Sequence, residues 1–146
     1  MREIKFRALD SLTGKWVRGN LMKTGFGSYI IPQNFISNEM PQFPIDRFTV
    51  GQFTGLKDTK GVEIYEGDII QINFDTKFSE EETYIGVVEY QAENNYPAFD
   101  LNPWIDCEMN GLSWLKSGSD DSVKSFQVIG NVHDNPEILE VLHEAR

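Results

Sequence analysis

The chain has 146 residues, a formal net charge of −10, 40% hydrophobic and 12% aromatic residues, and a single cysteine. These values describe one folded domain, expected over residues 1–146, and exclude a disordered chain, an internal disulfide and a cysteine metal cluster. No apolar run approaches the ~18 residues of a membrane span. The start, MREIKFRALD, alternates charged with apolar residues instead of building a signal-peptide core, so a cytoplasmic protein with no membrane partner is expected.

In chain order, Ile4, Phe6 and Ala8 alternate with Lys5 and Arg7, which predicts a strand with a basic outer face. Leu12-Thr13-Gly14-Lys15 reads as a turn and Trp16 to Leu21 as a returning strand, making a β-hairpin. On such a hairpin Lys5, Arg7 and Arg18 would share one exposed face, and with Lys23 they form a candidate anion patch. A solvated strand face whose charges discourage edge pairing is the plainer account of the same residues. Residues 24–45, with Gly25, Gly27, Pro32, Pro41 and Pro44, predict a long connection with a short strand at Tyr29 to Ile31 and one helical turn near Phe35.

Phe48 to Phe53 is strand-like and feeds Asp58-Thr59-Lys60-Gly61, a tight turn. Asp at its start can accept a hydrogen bond from the backbone two residues on, and Gly61 supplies the positive φ that closes the reversal. Val62, Ile64 and Tyr65 continue as a strand, and Glu66-Gly67-Asp68 punctuates the chain again. Glu66 and Asp68 lack the ligand count of a calcium or magnesium site and read as solvated turn acids. Beyond them Ile70, Ile72 and Phe74 alternate with Gln71, Asn73 and Asp75, a half-buried strand.

Asp75 to Thr83 contains Glu80-Glu81-Glu82 and is expected as a solvated loop before a strand at Tyr84–Tyr90. Residues 91–123 carry the turn signals Asn94-Asn95, Pro97, Asn102-Pro103, Asn110-Gly111 and Ser117-Gly118-Ser119, and read as irregular. Tyr96, Phe99, Trp104 and Trp114 among them suit capping of a small barrel or protein contact. The neighbouring Asp100, Asp106, Glu108, Asp120 and Asp121 disfavour base stacking. Phe126 to Val132 is the last strand. Asn135 then suits an N-cap, Pro136 the first helical position, and Ile138, Leu139 and Leu142 an apolar stripe on a short C-terminal helix.

Four blocks, REIKFRALDSLTGKWVRG, QFTGLKDTKGVEIYEGDII, GVVEY and FQVIGNVHDNPEILE, together resemble the YopX protein family, small proteins of bacteriophages and prophages of Gram-positive bacteria. Lys60 departs from the Asn often found before the turn glycine in that family. The resemblance spans nearly the whole chain, with least support in residues 20–45 and 91–123. It implies a fold similar to small SH3-like β-barrels, and no established activity, so it carries over no functional residues. The fold expected is therefore mainly β, a small SH3-like barrel or roll with irregular loops and a short C-terminal α-helix.

No phosphate-cradling glycine motif, HExxH, Ser-centred elbow or CxxC is present. Cys107 has only His133 and His143 as candidate bases and reads as a structural thiol. His133 beside Asp134 is the one acid–base suggestion, and a helix-capping region is the simpler account of it. Neither a cofactor nor a catalytic or metal residue is expected. Residues 1–72 hold nine Lys/Arg against eight Asp/Glu, whereas residues 73–146 hold four against fifteen. Such charge opposes phosphate neutralisation and favours basic protein surfaces. The leading expectation is a non-enzymatic, cytoplasmic phage accessory protein that binds an unknown host or phage protein. Its candidate contacts are Glu80, Glu81, Glu82, Asp120 and Asp121. The alternative is a nucleic-acid-binding small barrel using Lys5, Arg7, Arg18 and Lys23. Open strand edges also allow a homo-oligomer.

Overall fold

The alternation at the start of the chain does form a hairpin: in the computed structural model β1 (Phe6–Leu9) pairs antiparallel with β2 (Trp16–Thr24). The structure describes residues 2–35, 40–77, 82–105 and 109–144. Two compact units divide the chain, Met1–Gly55 and Leu56–Arg146.

In the first unit the β1–β2 turn is closed by Asp10, whose Oδ1 accepts the Leu12 N–H at 2.9 Å while its carbonyl accepts the Gly14 N–H at 2.8 Å. β2 runs on into a second hairpin with β3 (Gly27–Ile31), which pairs with β4 (Phe43–Pro44). The predicted long connection over 24–45 is thus partly strand: β2 extends to Thr24 and turns through Gly25-Phe26 alone. No helix is assigned at Phe35, and residues 36–39 lie outside those described. Gly19 permits the close approach of β2 to the end of β3, because a Cβ there would stand 2.1 Å from the Ile31 carbonyl oxygen.

After β4, Ile45 forms an isolated bridge with Asp10, the residue that follows β1. The ladder β4-β3-β2-β1 therefore curls back on itself around Ala8, Ile30 and Ile45, flanked by Phe6, Val17, Leu21 and Val50. This is a roll. The strand expected at Phe48–Phe53 starts later. Asp46 caps a 3-10 turn over Arg47–Thr49, and β5 (Gly51–Lys57) then pairs with β1 and crosses the division at Gly55.

In the second unit β5 ends in the predicted turn. Asp58 Oδ1 accepts the N–H groups of Lys60 and Val62, both at 2.9 Å, and Gly61 has φ +82°. β6 (Glu63–Tyr65) follows, then the Glu66-Gly67 turn into β7 (Asp68–Phe74). Asp68 corrects the expectation of a solvated acid. It is 1% exposed, and its Oδ2 accepts the Tyr65 N–H at 2.7 Å, which closes the turn from inside.

β7 lies between β8 (Thr83–Tyr90) and β10 (Val123–Asn131), and β9 (Phe99–Asn102) completes an antiparallel sheet of order β10-β7-β8-β9. Ile64, Ile70, Ile72, Val88, Leu101 and Phe126 fill its core. The stretch read as irregular supplies β9 and a helix, α1 (Gly111–Ser117), whose Leu112 and Leu115 join that core. Asn110 and Gly118, taken as turn residues, cap the helix: Asn110 Oδ1 accepts the Ser113 N–H at 2.9 Å, and Gly118 ends it at φ +64°. The C-terminal helix α2 (Pro136–Glu144) begins at the predicted proline. Asn135 stands at the N-cap position, its carbonyl accepting the Ile138 N–H at 3.2 Å, while its side-chain Oδ1 accepts the Asn131 N–H, also at 3.2 Å. Among the described residues no helix is long and apolar enough to cross a membrane.

Both outer strands of this sheet are covered. Asp58 Oδ2 accepts the Val128 N–H at 3.0 Å, and Thr59 exchanges two bonds of 3.0 Å with Phe126, N–H to carbonyl and hydroxyl from N–H. The turn thereby occupies the free edge of β10. On β9, Asn110 Nδ2 donates to the Phe99 carbonyl at 2.8 Å.

Removing the Asp58 carboxylate leaves three amides without their acceptor, in a site only 5% exposed. Asp58→Ala is expected to destabilise the protein by about 3 kcal/mol and Asp58→Asn by less, read as lower urea midpoints at unchanged slope. Gly19→Ala, which forces backbone atoms apart, is expected to cost about 2 kcal/mol in the same assay.

Candidate functional site

Of the acids picked out from the sequence, Glu82 and the Asp120-Asp121 turn lie at the same end of the second sheet. β7 ends at Phe74, opposite Val123 of β10, while Asn73 stands opposite Thr83 of β8. Just past these pairs the Phe74 N–H donates to the Glu82 carbonyl at 2.9 Å and the Asp75 N–H to the Ser122 carbonyl at 2.7 Å. The last residue of β7 and the one after it thus tie Glu82 on one side and the Asp120-Asp121 turn on the other. Across three strands the separation is about 10 Å, close to the ~8 Å Debye length at physiological salt. At that distance salt largely screens the exposed charges of one segment from those of the other, and each presents its own local negative field.

The individual acids differ. Glu82 and Asp121 are exposed, and Glu80 and Glu81 lie outside the described residues, as do Asp106, Cys107 and Glu108. Asp120 is half-buried and engaged. Its Oδ1 accepts both the hydroxyl and the N–H of Ser122, at 2.6 and 2.9 Å, and its Oδ2 accepts the Trp114 indole N–H at 3.2 Å. The Ser122 hydroxyl first, then the Ser122 amide and the indole, hold this carboxyl below its ordinary value of 3.8. Asp120 is thus a fixed anion that ties α1 to the start of β10.

Beside it lies a cavity of about 170 Å³ whose walls include Thr59, Trp114, Leu115, Asp120, Lys124 and Phe126. Small-molecule and cofactor sites measure roughly 300–1,000 Å³, so this space suits a single side chain and not a nucleotide. Sequence reasoning did not find it, because α1, which provides Trp114 and Leu115, read as loop. The signal was present in the sequence: Asn110 as a cap, Leu112 and Leu115 at helical spacing, and Gly118 past the end.

The basic candidates fare differently. Arg7 and Arg18 are cross-strand partners, but Arg7 is only 6% exposed and its guanidinium lies over the Trp16 ring, 4.8 Å from the centroid. Lys5 pairs with Glu3 at 3.1 Å and lies 5.0 Å from the Phe53 ring centroid. The exposed face expected for Lys5, Arg7 and Arg18 is thus largely folded inward, and Arg18 and Lys23 are the two that face solvent. At the far end of the sheet the His133 and Asp134 amides both donate to Asn131 Oδ1 at 2.9 Å. That arrangement is a capping turn ahead of α2. Among the described residues no three His, Cys, Asp or Glu stand close enough to hold a metal ion.

Because the Asp120 carboxyl is lowered on folding, its stabilising contribution is complete above the ordinary carboxylate value and declines as pH falls through the lowered one. Asp120→Asn is accordingly expected to lose stability at neutral pH and to show a shallower decline below about pH 4, measured by thermal melts across pH.

No curated protein matches the chain. Among solved structures, the crystal structure of protein EF1440 from Enterococcus faecalis is similar, with a TM-score of 0.57 and 24% identity over 95% of this chain and 99% of that one. At that identity the likeness speaks for the fold. The model of the YopX protein family matches residues 5–140, nearly the full length, and the chain belongs to the YopX protein family.

Proposed function

We propose that the protein is a non-enzymatic phage or prophage accessory protein, acting in the host cytoplasm, that binds a basic protein partner through the acidic end of its second sheet. The observation that carries this reading is the pair of backbone bonds from Phe74 and Asp75, which brings Glu82 and the Asp120-Asp121 turn to the same end of the sheet, on either side of β7. Charge distribution adds to it. Leu56–Arg146 holds nineteen Asp/Glu against six Lys/Arg, whereas Met1–Gly55 holds four against seven. A field of one sign steers an oppositely charged partner and speeds encounter more than it adds affinity. Covered edges on β9 and β10 also turn the partner away from strand addition and toward the loops.

The nucleic-acid alternative draws on Lys5, Arg7, Arg18 and Lys23. It loses force with Arg7 stacked on Trp16 and Lys5 paired to Glu3, because phosphate binding needs cations that can reach a backbone.

The test is capture from a lysate of a phage-bearing host, with nuclease treatment and elution at low and high salt. The wild-type chain is expected to retain a protein that resists nuclease and elutes with salt. The Glu80→Gln, Glu81→Gln, Glu82→Gln, Asp121→Asn variant is expected to lose it. Retention by the variant, or recovery of nucleic acid alone, would overturn the reading.

A further inference from the structure

The cavity beside Asp120 has a chemistry that narrows what can enter it. Its volume of about 170 Å³ admits one side chain. Its walls combine an indole, the Asp120 carboxylate and the apolar Leu115 and Phe126. The carboxylate does not need to be oriented on binding, since Ser122 and Trp114 already hold it. A carboxylate offers about four acceptor positions. Oδ1 uses two on Ser122, and Oδ2 accepts the Trp114 indole and keeps room for a further donor.

We propose that this cavity receives one arginine side chain of a protein partner, its guanidinium against Trp114 and hydrogen-bonded to Asp120. The inference rests on the acidic docking surface proposed above and names its anchoring contact. A guanidinium is planar and weakly hydrated, it stacks on indole, and it bonds a carboxylate through a fixed fork of donors, so it suits these walls better than an ammonium. The acid-rich surroundings, with Asp75, Glu82 and Asp121 at the same end of the sheet, favour a cation over an anion. Thr59, from the turn that edges β10, forms part of the wall, so the cavity depends on that turn being closed.

Lys124 also lines the cavity and carries the opposite charge. Its presence gives the proposal a sign test. If the occupant is a cation, Lys124→Gln should tighten binding and Asp120→Asn should weaken it. An anionic occupant would reverse both.

The probe is N-acetyl-arginine amide, titrated into the full chain at constant ionic strength, with the citrulline analogue as a neutral isostere. The Trp114 indole N–H is followed by nuclear magnetic resonance and assigned by its loss in Trp114→Phe. The expected result is a saturable shift with the arginine compound alone, weakened roughly tenfold in Asp120→Asn and strengthened about twofold in Lys124→Gln. Lys124→Gln leaves every described bond of the Asp120 turn in place, so its result does not depend on how Asp120→Asn folds. An absent shift, an equal shift with citrulline, or weaker binding in Lys124→Gln would overturn the proposal. If the arginine site fails while the Glu80–Glu82 and Asp121 variant still loses its partner, only the anchoring contact is wrong. If the site binds and that variant keeps its partner, the docking reading falls instead.

Discussion

A single carboxylate, that of Asp58, holds together two parts of the chain seventy residues apart. One oxygen accepts two amides of its own turn and the other reaches Val128 on β10. Hydrogen bonds to an ionised acceptor are roughly twice as strong as neutral ones, and here three of them offset the desolvation of a group only 5% exposed. The rest of the turn follows from that geometry. Thr59 must be next to it to exchange bonds with Phe126, and Gly61 must take a left-handed φ to bring the Val62 N–H back to the same oxygen. Closing a loop of that length costs only slowly growing entropy, so a few well-placed bonds suffice to fix it.

The same device recurs. Asp10 closes the β1–β2 turn, Asp68 closes the turn before β7, and Asp100 accepts the amides of Leu101 and Gly111 at 2.8 and 2.9 Å to seat the start of α1. All are 5% exposed or less. With Asp58 and the half-buried Asp120, a substantial share of the aspartates therefore serves as internal backbone acceptors. A net charge of −10 consequently overstates the charge available to a partner. Among the described residues, exposed acids include Glu82 and Asp121 at one end of the second sheet and Asp134, Glu137 and Glu140 near α2.

Much of this was legible beforehand because it is local. The first hairpin, the Asp58–Gly61 turn, the alternation in β7 and the proline at the start of α2 each depend on residues within a few positions of one another. What escaped depends on distance. Asn110-Gly111 carries the composition of a turn as well as of a helix cap, and the burial of Leu112 and Leu115 against strands far away in sequence decides for the helix. Asp68 looks like any turn acid until the sheet closes over it. Arg7 occupies a position whose alternation says outward, yet Trp16 on the paired strand supplies a ring to lie on, and the side chain folds in. Half of the candidate site was visible as acidic segments; the cavity was not, since it exists only where α1, the Asp58–Gly61 turn and β10 converge.

That convergence bears on what kind of recognition the second unit can support. A bare sheet edge would bind any extended chain through backbone bonds and would invite aggregation. Here the edge of β10 is occupied by the chain's own turn, and Asn110 bonds the β9 backbone from beside α1. Under the proposed docking role, recognition would come from side chains at the strand ends. Long-range charge there is permissive, attracting many basic surfaces with little discrimination. In that proposal a cavity the size of one side chain would supply the selectivity that a diffuse field lacks, because an anchor must both fit the volume and satisfy the carboxylate. Since Asp58 and Thr59 fix the edge against which that cavity forms, the turn that stabilises the fold also sets the cavity's shape.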